Sequence, residues 1–205
     1  MRSTCTWGVT LAALIPALGA EPLINLLQYQ REALAAGEVW RLFSGHLTHL
    51  GWGHLGMNLA GLWLIAHLLL NDRPYWCLTA LPWIMLGTSL GLWVGAPQVN
   101  WYQGLSGVLH GLLCWALLMH IRTPGCSPVP NSTAAAEASL TPSASAWLLL
   151  LVLFKLAWEQ WQGPLPGSES LARGRVIVEA HLYGAISGGL LWAFAWIRRA
   201  IRTEK

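Results

Sequence analysis

Long apolar blocks separated by short polar stretches dominate this chain of 205 residues. A membrane span needs about 20 mainly apolar residues. Six blocks come close to that length, at about 6–27, 49–70, 75–95, 106–121, 146–162 and 176–197. The first is interrupted by Glu21 and Pro22. Its apolar run ends in Leu18-Gly19-Ala20, as a signal peptide ends at its cleavage site, although only Arg2 supplies the positive flank. Under either reading residue 21 lies outside, and the downstream topology is the same. Between the fourth and fifth blocks, residues 123–145 are rich in Pro, Ser and Ala and read as a flexible linker. The pattern predicts an all-α membrane protein, one domain over residues 1–205, with six transmembrane helices.

Composition agrees with that reading. The chain is 55% hydrophobic and 10% charged, against about 25% charged in ordinary soluble domains. Its 14 tryptophans suit membrane interfaces. A formal charge of +3, dispersed along the chain, argues against nucleic-acid binding. Positive charge also sets orientation, because cytoplasmic segments carry an excess of Lys and Arg. Arg198, Arg199, Arg202 and Lys205 place the C-terminus inside, and Arg73 and Arg122 fall on the same side if spans alternate. Arg31, Arg41, Arg173 and Arg175 then lie outside, both termini are cytoplasmic, and 123–145 is a cytoplasmic linker. Asn131-Ser132-Thr133 has the form of a glycosylation acceptor, but on that side it would go unused. Cys5, Cys77, Cys114 and Cys126 form no CxxC pair and read as unpaired thiols, with no metal site or disulfide framework expected.

Polar residues inside spans are costly and mark function by default. Here they gather at one depth. Span two runs inward with His49, His54 and Asn58 in its first half, and span four opens with Gly104-Leu105-Ser106-Gly107. Span six carries His181 about one and a half turns from its start. One site built from three helices, just below the outer surface, accounts for the coincidence.

The residue types specify a chemistry. A serine hydroxyl becomes a useful nucleophile when a neighbouring base takes its proton, and histidine is the usual base. Ser106 stands at a helix start, where free N–H groups and the helix dipole favour a developing oxyanion. His54 and Asn58, four apart, share one helix face and are placed to donate to that oxyanion. Gly107–Gly111 and Gly184–Gly188 are GxxxG pairs of the kind that let helices approach closely in lipid. Glu179 lies two positions before His181 and points elsewhere on the helix, so the expectation is a Ser106–His181 dyad with no carboxylate. Lys155 and Glu159 read as an in-helix pair that snorkels to the interface, or as a substrate-access element.

These residues resemble those of the rhomboid intramembrane proteases. The matching patches are Trp40-Arg41, the His49, His54 and Asn58 series, Gly104-Leu105-Ser106-Gly107, and Ala180-His181 followed by Gly184 and Gly188. They cover about a fifth of the chain and recur in the family's order and topology. The resemblance implies a rhomboid-like bundle of six transmembrane helices with a water-filled cavity. It implies Ser106 as nucleophile, His181 as base and then acid, and His54, Asn58 and the Ser106 N–H as the oxyanion hole. It implies a structural role for Trp40-Arg41 in the first loop. Many rhomboids carry a tyrosine four residues after the serine, packed on the catalytic histidine, where this chain has His110. The Gly-x-Ser-Gly-x-x-His-Gly run resembles the rhombosortase branch, which is associated with cleaving C-terminal GlyGly-CTERM tails of exported proteins. That implies a substrate with a membrane-spanning tail, a bacterial inner-membrane location, an active site facing the periplasm, and no cofactor. His110, His49, Gly104, Gly107, Gly184 and Gly188 are supporting residues on this reading.

Two rivals belong to other classes. A non-catalytic binder of membrane segments shares the architecture, but such relatives usually lose the serine or histidine, and this chain has both. A haem carrier uses His54 and His67 as axial ligands of two stacked haems, yet His110 and His120 match their depths poorly. His46, His67 and His120 read as boundary residues with structural or interfacial roles.

Overall fold

A computed structural model describes residues 4–19, 21–70, 73, 75–122 and 140–203. Most of the expected linker, with Cys126 and Asn131-Ser132-Thr133, lies outside the described residues, as do Arg2 and Lys205. Each apolar block is helical. Block one is two helices, α1 (Thr4–Leu18) and α2 (Glu21–Leu27), broken just ahead of Glu21-Pro22. The later blocks are α5 (Trp52–Leu69), α6 (Trp76–Gly95), α7 (Ser106–Arg122), α8 (Pro142–Gln162) and α10 (Val178–Thr203). Short helices α3 (Arg31–Ala35), α4 (Arg41–Ser44) and α9 (Ser168–Ala172) lie in the connections. Two short strands, β1 (Tyr29–Gln30) and β2 (Trp101–Tyr102), pair antiparallel with Tyr29 opposite Tyr102. Helix α6, helix α8 and residues Val178–Arg202 of α10 are long and apolar enough to cross a membrane, whereas α1 and α7 are apolar but shorter. Helix α5 has 18 residues and carries His54, Asn58 and His67.

Local chemistry explains where α8 begins. The Thr141 hydroxyl accepts from the Ala144 N–H at 3.2 Å and Pro142 takes the first helical position, so residues 142–145 form a capped first turn rather than linker.

The bundle is assembled around α7 and α10, which run parallel at backbone contact. A Cβ on Gly107 would stand 2.7 Å from the Ala180 carbonyl oxygen, and one on Gly111 would stand 2.5 Å from that of Gly184. In return, a Cβ on Gly184 would collide with the Gly107 carbonyl, and one on Gly188 with that of Gly111. Small residues admit this approach because lipid supplies little hydrophobic drive between helices, so close packing must hold them. Helix α6 crosses α10 in the opposite direction, with Gly87 against Ser187 and Gly91 and Gly95 against Tyr183. The Trp83 indole donates to the Ser187 carbonyl at 3.1 Å. The main core fills the space between α1, α5, α6 and α7, with Leu62, Trp76, Ile84, Leu112 and Leu117 fully enclosed.

Two arginines tie the segment before α5 to the bundle. Arg31 donates to the carbonyls of Leu92, Trp93 and Ala96 at 2.7–2.8 Å, a cationic cap on the C-terminus of α6. Arg41 is buried, bonds the carbonyls of Asn25 and Gln28 at 2.7 Å, and pairs with Glu38. His46 donates from Nε2 to the Met85 carbonyl at 3.0 Å, and burial depresses its pKa to about 4, so it packs as a neutral ring.

The reading of the cysteines as unpaired is corrected in part. Cys5 and Cys77 form a disulfide between α1 and α6, at the end of the bundle opposite Ser106, and Cys114 is a buried free thiol. The pair lies 72 positions apart in sequence, so no local spacing announces it.

The outer surface is apolar. On α8 the side chains of Trp147, Leu151, Phe154 and Trp161 are all exposed, as befits helices solvated by lipid. The glycine contact yields a contrast within one helix. Gly184→Ala is expected to lower the unfolding temperature in detergent, with overpacking costing about 1–3 kcal/mol. Gly189→Ala, whose added methyl meets nothing within 4 Å, is expected to be neutral or slightly stabilising. Equal shifts in the two variants would count against backbone contact as the organising feature.

Candidate active site

Three helix N-termini meet at one end of the bundle. Ser106 opens α7, His181 lies in the first turn of α10, and His54 and Asn58 occupy the first two turns of α5. The parallel α7–α10 contact sets Ser106 and His181 side by side, with His181 Nε2 3.1 Å from Ser106 Oγ. That is hydrogen-bond distance for a hydroxyl donating to an imidazole lone pair.

The other nitrogen of His181 meets a carboxylate. Glu159, near the C-terminus of α8, places Oε2 2.9 Å from His181 Nδ1, and both side chains are buried. The expectation that no carboxylate reaches His181 is therefore corrected. Helix α8 packs on α7 and brings its last turns to the start of α10. Glu179 is turned away as expected and accepts from Gln98 at 2.8 Å. A carboxylate only accepts, so Nδ1 of His181 carries the proton and Nε2 is left free to act as a base. Lys155, one turn earlier on α8, pairs with Glu159 at 2.8 Å, so the two face the site rather than the interface.

His110 stacks on His181 with ring centroids 4.3 Å apart and an interplanar angle of 21°. Its Nδ1 donates to the Ser106 carbonyl at 2.7 Å and its Nε2 faces Lys155 at 2.7 Å. Both ring nitrogens are engaged, which leaves no lone pair for a haem iron. One ring nitrogen each of His110 and His181 and a Glu159 carboxylate oxygen lie within 4.8 Å of one another, a grouping suited to a cation. The positive group among them is the Lys155 ammonium.

On the far side of Ser106, His54 and Asn58 converge on Gly104. Nδ1 of His54 accepts from the Leu50 N–H at 3.4 Å, so Nε2 carries the proton and is a donor. Asn58 Nδ2 is buried and has no hydrogen-bond partner among the described residues. A Cβ on Gly104 would stand 2.6 Å from His54 Cε1, 2.9 Å from Nε2 and 3.7 Å from Asn58 Nδ2. With φ at +122° as well, the position admits only glycine, and the space left is flanked by two donors. His49 packs edge-on against His54 at 5.1 Å and donates to the Leu47 carbonyl, away from Ser106.

The sequence model of the Rhomboid domain matches residues 36–199. This chain belongs to the Rhomboid family. Every site residue named above falls within the match, and α1, α2 and α3 precede it. Rhomboid proteins are generally intramembrane serine proteases, and Rhomboid proteases act on membrane-protein substrates within the bilayer. No curated protein matches the chain.

Three residues around the Rhomboid site were not assigned a chemical role from sequence: Glu159, Lys155 and Tyr102. The first two carried a visible signal, an ion pair four residues apart inside an apolar block. Tyr102 had none, since it sits in a two-residue strand. Its buried hydroxyl donates to the Gly104 carbonyl and accepts from the Gly107 N–H at 3.4 Å. Burial pushes this phenol up to about 12, so it remains a donor across the physiological range. Tyr102→Phe removes the bond that ties the Gly104 turn to α7. Stability should fall by about 1 kcal/mol, and reaction of Ser106 with a fluorophosphonate should slow by several fold in protein that remains folded. An unchanged reaction rate would show that the hydroxyl plays no part in holding the loop.

Proposed function

We propose that this protein is an intramembrane serine endopeptidase that cleaves a membrane-spanning segment of protein substrates near the outer face. The hydrogen bond between Ser106 Oγ and His181 Nε2 carries the reading. Ser106 Oγ attacks the scissile carbonyl carbon and its proton passes to His181 Nε2. The carbonyl oxygen, now an oxyanion, sits beside Gly104 and takes hydrogen bonds from His54 Nε2, Asn58 Nδ2 and the Ser106 N–H. Collapse breaks the C–N bond, and His181 returns the proton to the leaving amine. Water, deprotonated by the same imidazole, then hydrolyses the acyl-serine. The unpartnered amide of Asn58 supports the oxyanion role, because a buried donor without an acceptor is costly unless an acceptor arrives.

The finer reading is a rhombosortase acting on C-terminal GlyGly-CTERM tails of exported proteins. It is supported by the Gly104-to-Gly111 run and by His110, which stacks on His181 where many rhomboids have tyrosine. The same reading gives six spans in a bacterial inner membrane, both termini in the cytoplasm and the site facing the periplasm. Arg198, Arg199 and Arg202 support that orientation. The Cys5–Cys77 pair then lies at the cytoplasmic end, where a reducing compartment opposes the bond.

A fluorophosphonate probe on detergent-solubilised protein tests the chemistry. Labelling is expected in the wild type and lost in both Ser106→Ala and His181→Ala; label that persists in Ser106→Ala sinks the assignment. Asn58→Ala should lower cleavage by about 10²–10³-fold, as loss of one oxyanion donor does elsewhere, while the protein stays folded. Loss of folded protein instead would identify Asn58 as interhelical glue. Co-expression with a GlyGly-tailed substrate, followed by mass spectrometry of the product, reads the cleavage position.

A further inference from the structure

Beneath Ser106 four polar side chains from three helices meet: His110 of α7, Lys155 and Glu159 of α8, and His181 of α10. Lys155 Nζ lies 2.7 Å from His110 Nε2, 2.8 Å from Glu159 Oε2 and 3.2 Å from His181 Nδ1. The three surrounding groups have the composition of a metal cage, two imidazoles and a carboxylate. An ammonium occupies it.

The chemistry of each group leaves one consistent arrangement of protons. The Ser106 carbonyl only accepts, so His110 Nδ1 carries its proton and Nε2 presents a lone pair. An ammonium only donates, and it fills that lone pair while a second N–H goes to Glu159. Glu159 Oε2 also accepts from His181 Nδ1, which turns the His181 Nε2 lone pair to the Ser106 hydroxyl. The 3.2 Å approach of Nζ to His181 Nδ1 is then a contact between two donors that share one carboxylate oxygen. The sequence of bonds starts at the Ser106 hydroxyl and returns to the Ser106 carbonyl.

We propose that Lys155 is a positioning residue whose ammonium stands in for a bound metal, fixing the tautomer of His110 directly and that of His181 through Glu159. The proposal rests on the protease reading above. A neutral side chain at 155 would break the ring twice. His110 would lose its reason to keep Nε2 unprotonated, and Glu159, 3% exposed, would hold a buried charge with only a neutral donor beside it. Charge, more than packing, is the property required.

The test is the rate of fluorophosphonate labelling of the full chain in detergent. Lys155→Met, nearly isosteric, should label about 10–100-fold more slowly, the range seen when outer partners of a metal-bound histidine are removed. Its unfolding temperature should fall, because Glu159 keeps a buried charge without its cation, so the rate is read on protein that remains folded. Lys155→Ala should be equally slow and should recover on addition of methylammonium but not of methanol, which fills similar space without charge. Wild-type labelling in Lys155→Met, or equal rescue by methanol, overturns the proposal. If Lys155→Met does not accumulate as folded protein, the double variant Lys155→Met/Glu159→Gln removes both charges together. Slower labelling there than in Glu159→Gln alone supports the proposal, and equal rates in the two overturn it. Failure of the protease reading would look different, since the wild type itself would then take no label at Ser106.

Discussion

Backbone contact between α7 and α10 is the constraint on which the site depends. Two glycine pairs bring the carbonyls of one helix onto the Cα atoms of the other. At that separation the first residue of α7 and the first turn of α10 are neighbours, and a serine and a histidine placed there meet without reaching. Wider packing would part Oγ from Nε2 by more than a hydrogen bond spans. The same closeness leaves little room around the pair, so the remaining groups of the site must enter from the flanks. His54 and Asn58 enter from α5 on one side, and Lys155 and Glu159 from α8 on the other.

A second constraint follows from placing polar groups in a bundle built for lipid. Nearly every polar atom near Ser106 has a partner of fixed donor or acceptor sense. Carbonyls and a carboxylate dictate the protonation of both imidazoles, and a phenol ties the glycine turn to the start of α7. Among the described residues, Asn58 Nδ2 stands out as a buried donor in the site with no acceptor. The Nε2 of His49, packed beside His54, is also buried without a partner, so unsatisfied polar atoms of the site gather on the His54 flank of Ser106.

Much of this was legible from the chain as written, and the rest was hidden for geometric reasons. Ser106, His181, His54 and Asn58 lie at the starts of apolar blocks, and depth along a helix can be read from residue number. Rotation about the helix axis is harder to read, because it depends on how neighbours pack. Glu159 shows the difference. Its depth near the C-terminal end of α8 was evident, but not that its face turns to α10 rather than to the interface. Glu179 was excludable because it shares a helix with His181, where the angle between them is known. The Cys5–Cys77 bond joins the starts of two helices and depends on their order around the bundle, which an apolar pattern leaves open. The family match covers residues 36–199, so α1 and the Cys5 half of its disulfide lie outside what kinship describes.

Helix α8 has the smallest buried share among the three long apolar helices, 17% of its apolar window, with tryptophans and phenylalanine turned outward. Yet it carries the carboxylate that orients His181. The bilayer therefore acts as a structural neighbour of the histidine, one helix removed. A helix solvated mainly by lipid thus holds the partner of a buried imidazole, which leaves His181 one helix removed from the bilayer.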